Sequence, residues 1–185
     1  MQEIEVKVKT KDSDSVIRQL EAAGCVFSPP VEQDDVTYAT TKESMDAFIR
    51  SKIFVRIRQV TDGDTIFTVK YDDQRHVLGM AATEHEVKVD SASELEQMLL
   101  LMGLKRIVRV KKIRRKTKYK EYEICVDDVE ELGSYMEIEK MAEKDADPHA
   151  IHQELVGVLE SLGINLEGRV TKGYDIIMLD KEGFR

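Results

Sequence analysis

Hydrophobic and charged residues alternate along short stretches of the chain, a pattern typical of β-strands. In the first stretch, EIEVKV at residues 3–8, Ile4, Val6 and Val8 stand between two glutamates and a lysine. A closely similar stretch, EHEVKV, returns at residues 84–89. The repeated hexamer raises the question of why a short apolar strand carries Glu-x-Glu-x-Lys on one face, and why the chain contains it twice.

The same alternation predicts further strands between runs of turn residues. TDGD at residues 61–64 separates two of them as a hairpin turn. The last segment, RVTKGYDIIMLD, fits a strand as well as a helix. Besides the two hexamers, strands are predicted at residues 33–40, 53–60, 65–72, 107–118, 120–129 and 134–141.

Three segments have the spacing of amphipathic helices. KDSDSVIRQLEAAG has polar cap candidates before its apolar residues and ends at Gly24. SASELEQMLLLMG begins with serine and glutamate at capping-box spacing. The third helix, over residues 148–162, starts at Asp147-Pro148 and stops at Gly163. The apolar stripe predicted for the second helix comprises Leu95, Met98, Leu99 and Met102.

The order of elements repeats after 81 positions, the distance from Glu3 to Glu84. Each half reads as a strand, a helix and further strands, which indicates an internal duplication. Two matching half-sheets can close on each other, and no stretch resembles a flexible linker. We therefore expect an α+β fold with helices outside a closed antiparallel sheet, in one domain over residues 1–185.

Composition narrows the classes of function. The net charge of −8 disfavours general binding of nucleic acid or of anionic membranes. The basic tract RVKKIRRKTKYK has little aromatic interleaving, so nucleic-acid binding is not expected there either. Cys25 and Cys125 form no pairing or metal motif, and no apolar run is long enough to span a membrane. These features predict a cytoplasmic protein without a membrane segment.

Charged residues share one face on several of the predicted strands. A single strand of this kind usually has a solvent-facing side, held by surface ion pairs worth about 0–1 kcal/mol each. Here the helices need the apolar faces, so the charged faces would line the interior of a closed sheet of about eight strands, wide enough for a small ligand. The cations predicted on this wall, all suited to phosphate oxygens, are Arg56, Arg58, Lys70, Lys112 and Arg114.

Carboxylates on the same faces are hard oxygen ligands, suited to Mg²⁺ or Mn²⁺. Two carboxylates about 4 Å apart repel by roughly 4 kcal/mol at an effective dielectric constant of about 20, so a cluster of several calls for a divalent cation. Acids and cations together imply a metal-bound polyphosphate. The predicted metal-side acids are Glu3, Glu5, Asp127, Glu137 and Glu139.

The chain resembles the CYTH domain family, also called triphosphate tunnel metalloenzymes, which includes class IV adenylyl cyclases and thiamine or inorganic triphosphatases. The resemblance follows the family's order over nearly the whole chain. It implies an eight-stranded antiparallel tunnel with helices outside. The matching motifs are EIEVK, QDDVTY, VRIR, TVK, KIR, VDDVEELGSYMEIE and TKGYDIIML.

The resemblance also implies roles for individual residues. Lys7 and Glu5 would be catalytic, with Lys7 near the reacting phosphate or attacking water, and the five acids and five cations named above would bind metal and triphosphate. Lys172 is an additional candidate for triphosphate contact. Glu84 and Glu86 in the second hexamer, together with Lys88, match the duplication but not the family's usual catalytic set.

The expected function is therefore metal-dependent chemistry on a small-molecule triphosphate. Class IV adenylyl cyclase, converting ATP to cyclic AMP and pyrophosphate with Mg²⁺ or Mn²⁺, is the first hypothesis. The alternative is a phosphohydrolase acting on inorganic, thiamine or nucleoside triphosphate. A non-catalytic module that binds nucleotide or polyphosphate is a further alternative. The oligomeric state, including a homodimer, is left open by the sequence.

Overall fold

The computed structural model describes residues 2–40, 53–71, 81–143 and 145–184. Nearly every predicted strand and helix is present within one to three residues of its predicted bounds, and the end of the strand predicted at 65–72 lies outside the described residues. In chain order the elements are β1 Gln2–Lys9, α1 Ser13–Ala22, β2 Val31–Ala39, β3 Ile53–Val60, β4 Thr65–Tyr71, β5 Ala81–Val89, α2 Ala92–Leu101, β6 Lys105–Tyr119, β7 Tyr122–Val129, β8 Gly133–Ala142, α3 Pro148–Ser161, β9 Arg169–Val170 and α4 Tyr174–Lys181.

The fold is α+β, with a large antiparallel sheet and four helices in the described part of the chain. The strands are hydrogen-bonded in the order β5-β4-β3-β2-β6-β7-β8-β1-β9, and β1 also pairs with β5. In that additional pairing Glu3 lies opposite Ala82 and Ile4 lies opposite Ala81. The closed barrel expected from the sequence is not confirmed by this sheet. The ambiguous C-terminal segment contains both elements, a two-residue strand followed by α4.

The described residues divide into two compact units. Unit 1 contains the residues up to Val31, the first two residues of β5, and Lys112–Thr171. Unit 2 contains the other described residues. In unit 1, one face of β1, β7 and β8 packs against α1 and α3 around fully buried Ile4 and Leu155. The apolar alternation of the first hexamer is therefore explained by this core.

Unit 2 has its own smaller core, built on β3 and α2. Tyr38, Val55, Ile57 and Leu99 are buried there, and Leu95 packs against them. The predicted stripe on α2 is wrong in part, because Met98 is 55% exposed and Met102 is 66% exposed. Successive helical residues are rotated by about 100°, so Met98 points well away from the line through Leu95 and Leu99.

The predicted helix starts are confirmed by side-chain capping bonds. Asp12 accepts a hydrogen bond from the Ser15 amide at 2.7 Å, and Ser91 accepts one from the Glu94 amide at 3.2 Å. Asp147 accepts one from the His149 amide at 2.9 Å, with Pro148 in the first turn of α3. These bonds satisfy amides that have no partner inside a helix. Among the described residues, no helix is both long and apolar enough to cross a membrane.

Gly168 permits the close approach of the C-terminal segment to β1. Its carbonyl accepts a hydrogen bond from the Lys9 amide at 2.8 Å. A Cβ atom at Gly168 would lie 2.3 Å from the Lys9 carbonyl oxygen, closer than any ordinary contact. Only a shift of the backbone could relieve this overlap.

We expect Gly168→Ala to lower the free energy of unfolding by about 1–3 kcal/mol, because the new methyl group meets backbone rather than a movable side chain. Gly157→Ala is the matched control. Its Cβ would have nothing within 4 Å, and its site inside α3 favours alanine by about 0.5–1 kcal/mol. Urea unfolding of both variants checks the prediction, and a parent-like Gly168→Ala would contradict the described contact.

Candidate functional site

Charged side chains cover the face of the unit 1 strands that lies opposite the helices. Residues paired across antiparallel strands project to the same side, and Asp127 and Glu137 on this side are almost fully buried, at 0% and 4% exposure. We call this the unit 1 polar face. Its cross-strand pairs are Glu5–Glu139 and Lys7–Glu137 between β1 and β8, Glu123–Glu139 and Cys125–Glu137 between β7 and β8, and Arg114–Asp127 between β6 and β7.

Three carboxylates of this face, Glu3, Glu5 and Glu139, form a group that we call the carboxylate trio. One oxygen from each lies within 4.8 Å of the other two. The alternation of β1 places Glu3 and Glu5 on the same side, and the register of β8 brings Glu139 opposite Glu5. Oxygens at this spacing can converge on one hard cation.

Glu139 shows the electrostatic strain of this arrangement. Burial, followed by the charges of Glu3 and Glu137, raises the pKa of the Glu139 carboxyl to about 8. The Arg114 guanidinium opposes this rise but does not cancel it. Without a cation, the trio therefore keeps a proton on Glu139 near neutral pH.

Lys7 lies at the edge of the trio, with its ammonium group 3.0 Å from Glu5 and 3.2 Å from Glu137. Its side chain is only 4% exposed. Burial lowers the pKa of Lys7, but the charges of Glu5 and Glu137 outweigh burial and raise the pKa above its ordinary value. Lys7 is therefore a fixed cation and not a proton acceptor.

Arg114 lies among the acids of the unit 1 polar face. Its Nε donates to Asp127 at 2.7 Å, and its Nη2 contacts both Asp127 and Glu137. Lys112 adds a second cation 4.0 Å from Asp127. Burial raises the pKa of Glu137, yet Arg114 and Lys7 outweigh it and hold that pKa well below its usual range. Asp127 and Glu137 are thus both paired with buried cations.

Sequence reasoning did not assign Glu123 and Cys125, although both share the alternation of Asp127 on β7. Glu123, Cys125 and Glu139 bring one potential ligand atom each to within 4.8 Å of one another. Burial is the main cause that raises the pKa of the Cys125 thiol above its ordinary value. The thiol is therefore protonated and fully buried against the acids.

Unit 2 holds the second group of predicted residues, Arg56, Arg58 and Lys70, which we call the unit 2 cation cluster. Arg58 makes a two-bond contact with Asp35, from Nε and Nη2, each at 2.7 Å. Lys70 lies 2.7 Å from Glu84. Burial raises the pKa of Glu84, but the charges of Lys70, Arg56 and Arg58 together outweigh burial and lower it.

Arg56 lies between several acids without a two-bond partner. Its Nη2 donates to Glu86 and to Thr68, both at 3.2 Å, and its nearest contact with Asp35 is 3.9 Å. Its Nε is buried and has no hydrogen-bond partner within the described residues. A buried donor left unpaired costs about 1–3 kcal/mol, so Nε is suited to an incoming acceptor.

The sequence profile of the CYTH domain matches residues 1–174. This chain belongs to the CYTH family. A protein of Methanocaldococcus jannaschii named "Putative adenylate cyclase" is 29% identical over 175 residues, which cover 94% of this chain and 97% of the relative. The sequence resemblance to CYTH proteins is thereby confirmed.

Solved structures share the fold of this CYTH chain. A conserved protein of Pyrococcus furiosus superposes with a TM-score of 0.78 at 21% identity, covering 94% of this chain and 98% of that one. A Hippeastrum protein described as a "putative adenylyl cyclase" with a dominant triphosphatase activity superposes with a TM-score of 0.63 at 13% identity. That match covers 100% of this chain and 96% of the Hippeastrum protein.

The second hexamer of the CYTH chain differs from the first in its partners. Glu84 and Glu86 contact Lys70 and Arg56, whereas Lys88 is 74% exposed and pairs with Asp64. Within the described part of the chain, the repeat therefore supplies carboxylates beside cations of unit 2 and forms no second carboxylate trio. Lys172 is 55% exposed and contacts Asp180 of α4.

The raised pKa of Glu139 predicts how pH changes the stability of the metal-free protein. Between its ordinary value of 4.5 and about 8, the folded state holds a proton that the unfolded state has lost. The free energy of unfolding therefore falls as pH rises through this window. Glu139→Gln removes the titrating group, so its advantage over the parent should grow with pH.

We expect Glu139→Gln to melt roughly 5 °C above the parent at about pH 8, in the presence of a chelator, and to show a smaller difference at about pH 5. Exposed Glu130, in the turn after β7, provides the control Glu130→Gln, which should melt like the parent at both pH values. Thermal unfolding followed by circular dichroism measures both. A Glu139→Gln variant that is less stable than the parent at the higher pH would contradict the repulsion.

Proposed function

We propose that this CYTH chain is a metal-dependent enzyme acting on a triphosphate, and that its first reaction is class IV adenylyl cyclisation of ATP to cyclic AMP and pyrophosphate. The observation that carries the proposal is the carboxylate trio beside a permanently charged Lys7. Crowded carboxylates need a cation, and a buried ammonium group next to them provides a contact for an anionic substrate.

The residues of the trio fit Mg²⁺ or Mn²⁺. The donors are carboxylate oxygens, Glu5 is 29% exposed and Glu139 is 12% exposed, so water and phosphate oxygens could complete the coordination. We propose Glu3, Glu5 and Glu139 as direct ligands. Asp127 and Glu137 are proposed to support the metal site indirectly, by holding Arg114 and Lys7 in place on the unit 1 polar face. When bound, the cation would neutralise phosphate charge and polarise a phosphorus–oxygen bond.

Lys7 and Glu5 are the proposed catalytic pair. Because Lys7 stays protonated, it donates hydrogen bonds to a phosphate oxygen near the reacting phosphorus, and Glu5 orients it from 3.0 Å. Glu5 also offers an acceptor for the hydrogen of an attacking hydroxyl group or water. The chain thus supplies positioning and charge stabilisation to phosphoryl chemistry.

The cations are the proposed phosphate ligands. Arg56 is the strongest candidate because its Nε is buried without a partner among the described residues. Arg58 and Lys70 of the same cluster, and Lys112 and Arg114 of the unit 1 polar face, carry donors suited to phosphate oxygens. Lys172 is proposed as a weaker contact, since it is exposed and already paired with Asp180.

Hydrolysis of the terminal phosphate is the second candidate. A cyclase must direct the ribose 3′-oxygen to the α-phosphorus, so that a new phosphoester bond forms and pyrophosphate leaves. A triphosphatase needs only a water at the terminal phosphorus, and the Lys7–Glu5 contact could hold one. The name of the Methanocaldococcus relative favours the cyclase, and the Hippeastrum protein favours hydrolysis.

The closed eight-stranded tunnel and the single domain over residues 1–185 belong to the same proposal. Support comes from the pairing of Glu3 and Ile4 in β1 with Ala82 and Ala81 in β5. The family profile, which matches residues 1–174, supports one functional domain.

Product analysis distinguishes the reactions. We expect the protein, incubated with ATP and Mn²⁺, to form cyclic AMP and pyrophosphate, detected by ion-exchange chromatography. Glu5→Gln should lose this turnover by at least about a hundredfold while keeping the circular dichroism spectrum of the parent, since it removes a ligand and the partner of Lys7. If the products are ADP and inorganic phosphate, and inorganic triphosphate is turned over faster than ATP, the protein is a triphosphate hydrolase and not a cyclase. Unchanged substrates would favour a binding module.

Arg56→Ala should weaken the binding of inorganic triphosphate by roughly tenfold to a hundredfold, because a charge-assisted contact contributes about 1.5–3 kcal/mol. The control is Arg109→Ala, which removes a 60% exposed arginine paired with Asp34. Isothermal titration calorimetry compares the two dissociation constants. Equal dissociation constants for both variants and the parent would remove Arg56 from the substrate site.

A further inference from the structure

Adjacent aspartates in the QDDVTY segment of β2 each hold an arginine through two hydrogen bonds. Asp35 lies opposite Arg58 in the β2–β3 ladder, and its two oxygens accept from Nε and Nη2 at 2.7 Å. The same carboxylate lies 3.9 Å from Arg56. Asp34 accepts two bonds from Arg109 in the same manner.

The two ion pairs differ in their surroundings. The side chains of Asp35 and Arg58 are 8% and 12% exposed, whereas those of Asp34 and Arg109 are 26% and 60% exposed. Successive strand residues project to opposite faces, so only Asp35 lies on the face of the cation cluster. The chain therefore contains a buried pair beside Arg56 and an exposed pair of the same chemistry next to it in sequence.

The two-bond geometry fixes the direction of the guanidinium group. An arginine has five N–H donors in one rigid plane. When Asp35 holds the Nε–Nη2 edge, the plane and the orientation of the remaining N–H groups are set by the strand pairing. Holding a donor in its binding orientation before the ligand arrives reduces the entropy lost on binding.

We propose that Asp35 is a positioning residue that orients Arg58 for phosphate oxygens. This inference rests on the proposed function, in which Arg58 binds the triphosphate. Asp35 itself touches no substrate. Its role is to make the guanidinium group of Arg58 a rigid part of the sheet.

The sign of the effect separates positioning from simple charge balance. A carboxylate near an anion site repels the anion, so the loss of its charge alone would tighten triphosphate binding. The loss of positioning weakens binding instead. Asp35→Asn preserves the shape of the side chain and removes the charge, which makes it the appropriate substitution.

The experiment measures the dissociation constant of inorganic triphosphate for the full chain by calorimetry, with a chelator present to prevent metal-dependent turnover. We expect Asp35→Asn to bind about tenfold more weakly than the parent, and Arg58→Ala at least as weakly as Asp35→Asn. The double variant Asp35→Asn/Arg58→Ala should bind like Arg58→Ala alone. Asp34→Asn, which loses the matched exposed pair, should bind like the parent.

Three other outcomes would contradict the positioning role of Asp35. Parent-like binding by Arg58→Ala removes Arg58 from the substrate site and overturns the positioning role with it. Weak binding by Arg58→Ala, combined with unchanged or tighter binding by Asp35→Asn, overturns positioning alone. Full additivity in the double variant also overturns it, because a merely structural role would add to the loss of the arginine.

A second variant keeps the test decisive if Asp35→Asn fails to fold. Asp35→Glu retains the charge of the ion pair but moves the carboxylate by one methylene group. We expect its circular dichroism spectrum to match the parent and its affinity for inorganic triphosphate to fall several-fold. Parent-like affinity of a folded Asp35→Glu variant would show that the orientation of Arg58 does not matter.

Discussion

Repulsion among the carboxylates of the unit 1 polar face is the dominant electrostatic constraint on the candidate site. Glu3, Glu5 and Glu139 lie close enough for one cation to contact all three, and burial raises the pKa of Glu139 to about 8. Lys7 pairs with Glu5 and Glu137, and Arg114 pairs with Asp127 and Glu137, yet the pKa of Glu139 stays raised. Crowded carboxylates of this kind destabilise the metal-free protein and favour the binding of a divalent cation. Perturbed pKa values of this sort are common at functional sites.

Strand β6 buries charged side chains and exposes an apolar one. Lys112 and Arg114 are 6% and 7% exposed, whereas Ile113 between them is 43% exposed. Burying charges and exposing isoleucine reverses the order that folding favours. The reversal is tolerated because Asp127 and Glu137 pair with these cations, so that the buried charges stabilise one another. Cations and acids on one buried face then present both signs of charge to the proposed metal-bound triphosphate.

Much of the fold could be predicted from the sequence, because the signals are local. Period-two alternation located β1 and β3, and cap residues such as Asp12 and Ser91 located helix starts. The α2 surface could not be predicted in the same way, since the second half of the helix, MLLL, is apolar on every side. Which of those sides is buried depends on the position of Tyr38 and Val55, far away in the chain.

The candidate site was predicted as a set of residues but not as a set of pairs. Alternation shows that Glu5, Asp127 and Glu139 occupy charged faces, yet only the strand register decides that Asp127 binds Arg114 while Glu139 joins Glu3. The same holds for Asp35, whose partner Arg58 lies on the next strand. Glu123 was missed although its alternation with Asp127 was visible, because it belongs to none of the motifs that resemble the family. Cys125 was assigned no role because the two cysteines form no metal motif.

A bound metal can be located in crystals of the protein. Crystals of the protein soaked in Mn²⁺ would give an anomalous difference map at the manganese absorption edge. The account predicts a peak bonded to carboxylate oxygens of Glu3, Glu5 and Glu139. A strong peak on other residues, with none at this trio in a saturated crystal, would contradict the account.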